Sequence, residues 1–142
     1  MKTYLEERIG HPGLFTGRKR ELDSLLKWAE QIKIKISKSK AIISRRKTGK
    51  STVMERLFNI IFDKNDKVVP FYFEIRENKQ WLGTFSREFF CTFICQYLAF
   101  KTRKPEHINY VNNFIDNNEK LIEIAEKAKL YYLAEYIRNF QY

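Results

Sequence analysis

The chain is poor in cysteine, glycine and proline, with two, five and three among its 142 residues. Two cysteines exclude a disulfide framework. Cys91 and Cys95 lie four apart in an apolar stretch, share one helix face, and read as buried reduced thiols. A metal site would need further ligands, and the only histidines, His11 and His107, are distant in sequence. Long hydrophobic runs are also missing. The longest, FFCTFICQYLAF at 89–100, falls short of the ~20 residues a bilayer span requires and contains Gln96. The opening MKTYLEERIGHPG carries no apolar core of a signal peptide. A soluble, cytoplasmic chain without membrane contact is expected. There is no internal repeat, low-complexity tract or flexible linker.

Aromatics and positive charge are abundant. Hydrophobic residues make up 44% and aromatics 15%, with twelve Phe and eight Tyr, which suits one folded domain over 1–142. The net charge is +10, and residues 18–56 hold 13 Lys/Arg against 4 Asp/Glu. A segment that basic favours an anionic partner, either a nucleotide or nucleic acid.

Periodicity predicts a helix over 18–30, with Leu22, Leu25, Leu26 and Ala29 in phase and Thr16-Gly17 at its start. IKIKISKSK, which follows, fits an edge strand or a helix tail with a basic loop. AII at 41–43 reads as a short buried strand. A second helix runs from Lys50, with Val53, Met54, Leu57, Phe58 and Ile61 on the apolar face and Glu55 and Arg56 away from it. KVVPFYFEI at 67–75 is strand-like, with Pro70 at an edge or at the strand's beginning. Residues 82–101 predict a helix whose stripe Phe85, Phe89, Phe93 and Tyr97 reads as core. Pro105 breaks it, and EHINYVNNFI fits a short helix. A long amphipathic helix is expected over 117–140, on Leu121, Ile124, Ala125, Ala128, Tyr132, Tyr136 and Ile137.

The segment SRRKTGKST at 44–52 stands between the expected strand 41–43 and the expected second helix. It is one glycine short of the phosphate-binding pattern G-x-x-x-x-G-K-[ST], since Ser44 occupies the first glycine position. Such a loop directs backbone N–H groups at phosphates, aided by the positive end of the helix. Gly49 permits close backbone approach, Lys50 neutralises the β- and γ-phosphates, and the Ser51 hydroxyl completes a Mg²⁺ shell. Arg45, Arg46 and Lys47 add charge beside them.

FTGRKRELDSLLKWAE followed by AIISRRKTGKSTVMERLFNIIF resembles the N-terminal part of prokaryotic AAA-type P-loop ATPases, the archaeal-ATPase and STAND group in particular. The resemblance covers residue 14 to about 100, with 101–142 as a helical continuation. It implies an α/β fold: an incomplete three-layer P-loop NTPase fold of the ASCE/AAA kind, helix-rich and with few strands. It implies ATP and Mg²⁺ as cofactors. Phe15, Gly17 and Arg18 would then lie near the adenine, and Thr48, Gly49, Lys50, Ser51 and Thr52 around the phosphates.

Such an ATPase also needs an acidic pair after a hydrophobic strand. Glu74 is the only acid ending such a strand, but it falls where the family has its second strand, and a solvent-facing role fits it better. No catalytic residue is assignable. The chain is therefore expected to be an N-terminal fragment truncated before Walker B, binding ATP rather than hydrolysing it. The competing readings are a basic nucleic-acid-binding module on residues 18–56, and a non-catalytic partner of a second copy or of an intact homologous ATPase. No helix-turn-helix, zinc or RRM signature supports the former.

Overall fold

Three of the expected helices form where apolar spacing places them: α1 (Lys19–Lys33), α2 (Lys50–Lys64) and α3 (Leu82–Thr102). A 3-10 helix (Pro105–Asn113), α4 (Asn118–Lys127) and α5 (Tyr131–Asn139) follow. The computed structural model describes residues 4–8, 17–36, 38–43, 49–75 and 82–140, and the chain divides into two compact units, 1–72 and 73–142. Among the described residues no helix is long and apolar enough to cross a membrane.

In the first unit Leu22 and Leu25 of α1 bury themselves against Val53 and Leu57 of α2, with Leu26, Met54, Ile60 and Ile61 at the margins. At the far end of the pair Lys64 of α2 meets Glu30 of α1 at 2.7 Å. The two helices therefore run parallel, with their N-termini at one end. Lys33 bridges Glu30 and Asp66 beside that contact. The Asp66 carboxylate, then Glu30, holds Lys33 above the ordinary lysine range. Lys33 in turn holds Asp66 below the carboxylate range. Glu30, Lys33 and Asp66 are all charged at neutral pH.

The other face of α2 is polar and equally buried. Glu55 and Arg56 are each 3% exposed and Asn59 is inaccessible, although the helical pattern reads the first two as outward-facing. Residues 4–8 cover them. Asn59 Oδ1 accepts from the Tyr4 and Leu5 amides at 2.9 and 2.7 Å, and Asn59 Nδ2 donates to the Leu5 carbonyl at 2.8 Å. Arg56 Nη1 lies 2.7 Å from Glu7 Oε2, and the Arg8 amide donates to Glu55 Oε2 at 2.9 Å. Tyr4 stacks on Phe62, centroids 4.2 Å apart, and its hydroxyl bonds Asp63. Since Tyr4 meets Asn59 and Arg8 meets Glu55, this strap runs antiparallel to α2.

The second unit has its own core. Cys91, Ile94, Cys95 and Leu98 of α3 pack with Phe114 after the 3-10 helix, with Leu121 and Ala125 of α4, and with Leu133, Ala134 and Ile137 of α5. Phe140 closes it, stacked on Phe90 at 4.3 Å and edge-on to Phe114 at 6.1 Å. The face of α3 that reaches this core is one step round from the expected aromatic stripe, and Phe89 and Phe93 are 42% and 38% exposed. Burial raises the thiol pKa of Cys91 to about 11 and of Cys95 to about 12. Both stay protonated at neutral pH, and a thiol, unlike a thiolate, is a poor nucleophile. The native chain is expected to be inert to Ellman's reagent at about pH 8, where a free cysteine reacts, and to release two equivalents in denaturant. Prompt reaction of Cys95 in the folded chain would contradict this packing.

The expected continuous helix over 117–140 is two helices. Lys129 adopts φ +60°, its amide donates to the Glu126 carbonyl at 2.9 Å, and the Leu130 amide reaches back to Ala125 at 2.8 Å. This left-handed closure ends α4 and resets the phase. Leu133 and Ala134 then turn inward, while Tyr132 and Tyr136 are 83% and 64% exposed. The scarcity of glycine shows here. Left-handed residues also follow the ends of α1, α2 and α3, and they are Lys35, Asn65 and Arg103. A left-handed non-glycine costs on the order of 1–2 kcal/mol.

The expected α/β P-loop fold is not what forms. The described residues contain helices and no strand. A strand needs a neighbour to take its N–H and C=O groups, and neither 38–43 nor 68–75 pairs with one. Ile43, expected in a buried strand, is 93% exposed, and Ile75 is 70% exposed. The aromatics of the second run find a helix in place of a sheet: Phe73 meets Phe85 and Phe89 edge-on at 5.5 and 5.2 Å. The three-layer architecture with a sheet between helices is therefore replaced by helix-on-helix packing within each unit.

Candidate functional site

Gly49 and the first turn of α2 are the described part of the phosphate motif. Gly49 is the residue before the helix, at φ +82° and ψ +17°. A Cβ there would meet nothing within 4 Å, so the left-handed backbone, and not crowding, is what calls for glycine. The Gly49 carbonyl accepts the first helical bond, from the Val53 amide at 3.0 Å. Among the described residues no side chain caps the helix, and its first turn contains no acid. A helix N-terminus leaves its first N–H groups without intrahelical partners and carries about half a positive charge. An acid there would quench that charge, and here Lys50 adds to it. Lys50 is exposed, and Ser51 and Thr52 are half-buried beside it.

Gly17 and Arg18 begin α1 in a similar way, with Gly17 at φ +79° and Arg18 as the N-terminal flanking residue. Arg18 lies 3.8 Å from Glu21. Because α1 and α2 are parallel, both glycine–basic starts stand at the same end of the pair. The two helix ends stand there with Arg18, Lys19 and Lys50, and Glu21 in the first turn of α1 offsets part of that charge. The strap also heads toward this end, since Arg8 is held on Glu55 near the start of α2. Phe15, Ser44, Arg45, Arg46, Lys47 and Thr48 lie outside the described residues.

Glu74 is exposed and belongs to no strand. Among the described residues no cluster of three or more His, Cys, Asp or Glu side chains is arranged to hold a metal ion. Mg²⁺ bound with a nucleotide needs little from a protein, because phosphates and water supply most of its six oxygens. The Ser51 hydroxyl on the first turn fits that modest role.

Sequence reasoning misses two features. The strap was signalled by Glu55, Asn59 and Asp63, a polar row at four-residue spacing on a helix whose other face is apolar. The second is a basic groove on α1 around Trp28, where the indole Nε1 donates to the Lys38 carbonyl at 2.6 Å. No family model, curated protein or solved structure matches this chain, and its function is read from these residues alone.

Proposed function

We propose that the chain binds Mg²⁺–ATP by its phosphates at the N-terminus of α2, without hydrolysing it. The observation that carries this reading is Gly49 at φ +82° leading into an uncapped, acid-free first turn that begins Lys50-Ser51-Thr52. Backbone N–H groups of that turn receive phosphate oxygens, Lys50 pairs with their charge, and the Ser51 hydroxyl meets the metal. Gly17 and Arg18, at the same end of the parallel pair, stand on the nucleoside side. What favours ATP among anions is the ordered pair of sequence motifs and the resemblance to AAA-type ATPases that they imply. The reading needs no sheet, because the anion is held by a helix end and by charge. It also stops short of turnover, since the sequence offers no assignable acidic pair to hold the metal and polarise water. An ATP ligand and two free thiols fit a cytoplasmic protein.

Calorimetric titration with Mg²⁺–ATP tests it. Micromolar binding is expected, weakened about 10- to 100-fold in Lys50→Ala, the range for losing one hydrogen-bonded charge. A folded chain that takes up no heat of binding, or a Lys50→Ala variant that binds equally well, overturns the proposal.

A further inference from the structure

The groove around Trp28 is not used by the α2 site. It is an open concavity of about 670 Å³ between α1 and Ile36, Lys38, Ser39 and Lys40, bordered also by Arg20 and Lys27, with Asp23 the single acid among the described lining residues. Trp28 also borders a second concavity of about 390 Å³, beside Lys35 and Ile32, with no acid on its wall. The indole borders both concavities, and its N–H is held by the Lys38 carbonyl. Lys40 is likewise held, its ammonium donating to Ser24 Oγ at 3.0 Å. An aromatic ring anchored through its N–H, flanked by positive charge and bordering two adjoining concavities, matches the chemistry of a base stacked within a phosphate chain.

We propose that this groove binds single-stranded nucleic acid, a base stacking on Trp28 while Arg20, Lys27, Lys38 and Lys40 follow the phosphates. Two adjoining concavities that share Trp28, Lys38 and Ser39 favour a strand over a mononucleotide, which would fill one of them. A duplex keeps its bases stacked on one another and offers no free face to the indole. Neither Lys50 nor the start of α2 takes part, so the groove stands or falls independently of ATP binding.

The test uses the full chain with Trp81→Phe, which leaves Trp28 as the only tryptophan, and a fluorescein-labelled oligothymidylate of about 12 nucleotides, within the span one such site covers. Anisotropy reads affinity, and a separate unlabelled titration reads quenching of Trp28. Binding with quenching is expected, together with a loss of about tenfold or more in Trp28→Ala, the scale of one stacked base. The joint variant Lys38→Ala, Lys40→Ala is expected to lower the slope of log affinity against log salt by about 1.4, at ~0.7 per phosphate. Both lysines are exposed, so this variant tests the groove even where Trp28→Ala disturbs α1. Lys50→Ala is expected to bind the oligonucleotide as the parent does. Absence of binding in about 50 mM salt, where such contacts are strong, overturns the proposal. So does an unchanged salt slope in the lysine variant, equal affinity for a duplex without quenching, or quenching by ATP as strong as by the strand.

Discussion

Replacing Arg56 by alanine is expected to destabilise the first unit by about 3–5 kcal/mol, the cost of leaving one member of a buried ion pair alone. The Arg56 and Glu7 side chains are 4% and 0% exposed, and they meet at 2.7 Å. Asn59 Nδ2 adds a bond to the same Glu7 oxygen at 3.1 Å, while Oε1 has no hydrogen-bond partner among the described residues. Without Arg56 the carboxylate has one amide donor and no counter-charge, and it must leave the interface for water. It takes the strap with it, because Glu7 lies between the Leu5 and Arg8 contacts. Urea titration checks the magnitude, and amide exchange of residues 4–8 checks the mechanism. A loss under about 1 kcal/mol, the scale of an exposed pair, would mean that the strap does not bury the charges. The joint variant Glu7→Leu, Arg56→Met is expected to recover most of the loss, since an apolar pair of similar volume replaces a buried ion pair at little cost.

Leu121→Ala is expected to cost the second unit about 2–5 kcal/mol, the range for a fully buried leucine. Leu121 is 0% exposed amid Cys95, Leu98, Ala125 and Ile137. For a unit of this size the loss amounts to a fall of about 10 °C or more in its melting temperature. Calorimetry reads that fall, and exchange at α3, α4 and α5 amides locates it. Tyr132→Ala is the contrast. At 83% exposure it is expected to change stability by no more than about 0.5 kcal/mol. On an unbroken helix over 117–140 both residues would face the core and both substitutions would be costly. The pair of measurements therefore decides between one helix and two.

Helices were legible where one apolar face meets one partner. α1, α2 and α3 begin and end within a few residues of where spacing places them. The break at Lys129 was not legible, because the signal for a left-handed closure is usually glycine or asparagine, and lysine gives no warning. The strands failed for a different reason. An apolar run of β-branched and aromatic residues states a need for burial without stating the partner. Phe73 meets that need against Phe85 and Phe89, and Ile43 does not meet it at all. At the candidate site, the helix starting at Lys50 was readable from the motif itself, but the left-handed backbone of Gly49 was not, since the motif called for glycine on grounds of close approach. The meeting of both helix starts at one end was not, because it depends on α1 and α2 being parallel. Trp28 gave no signal either, since its groove is made with a segment ten residues further along the chain.

The strap gives this chain a timing problem during synthesis. Tyr4 and Asn59, which bond each other, are separated by 55 positions. At about 5–20 residues per second, the ribosome adds the second some 3–10 s after the first. Through that interval the partners of Tyr4, Leu5 and Glu7 do not exist, and α1 has no α2 to lie against. The first unit can assemble only after α2 has left the exit tunnel, so codon choice across 9–63 sets how long Leu22, Leu25 and Ala29 remain available to chaperones.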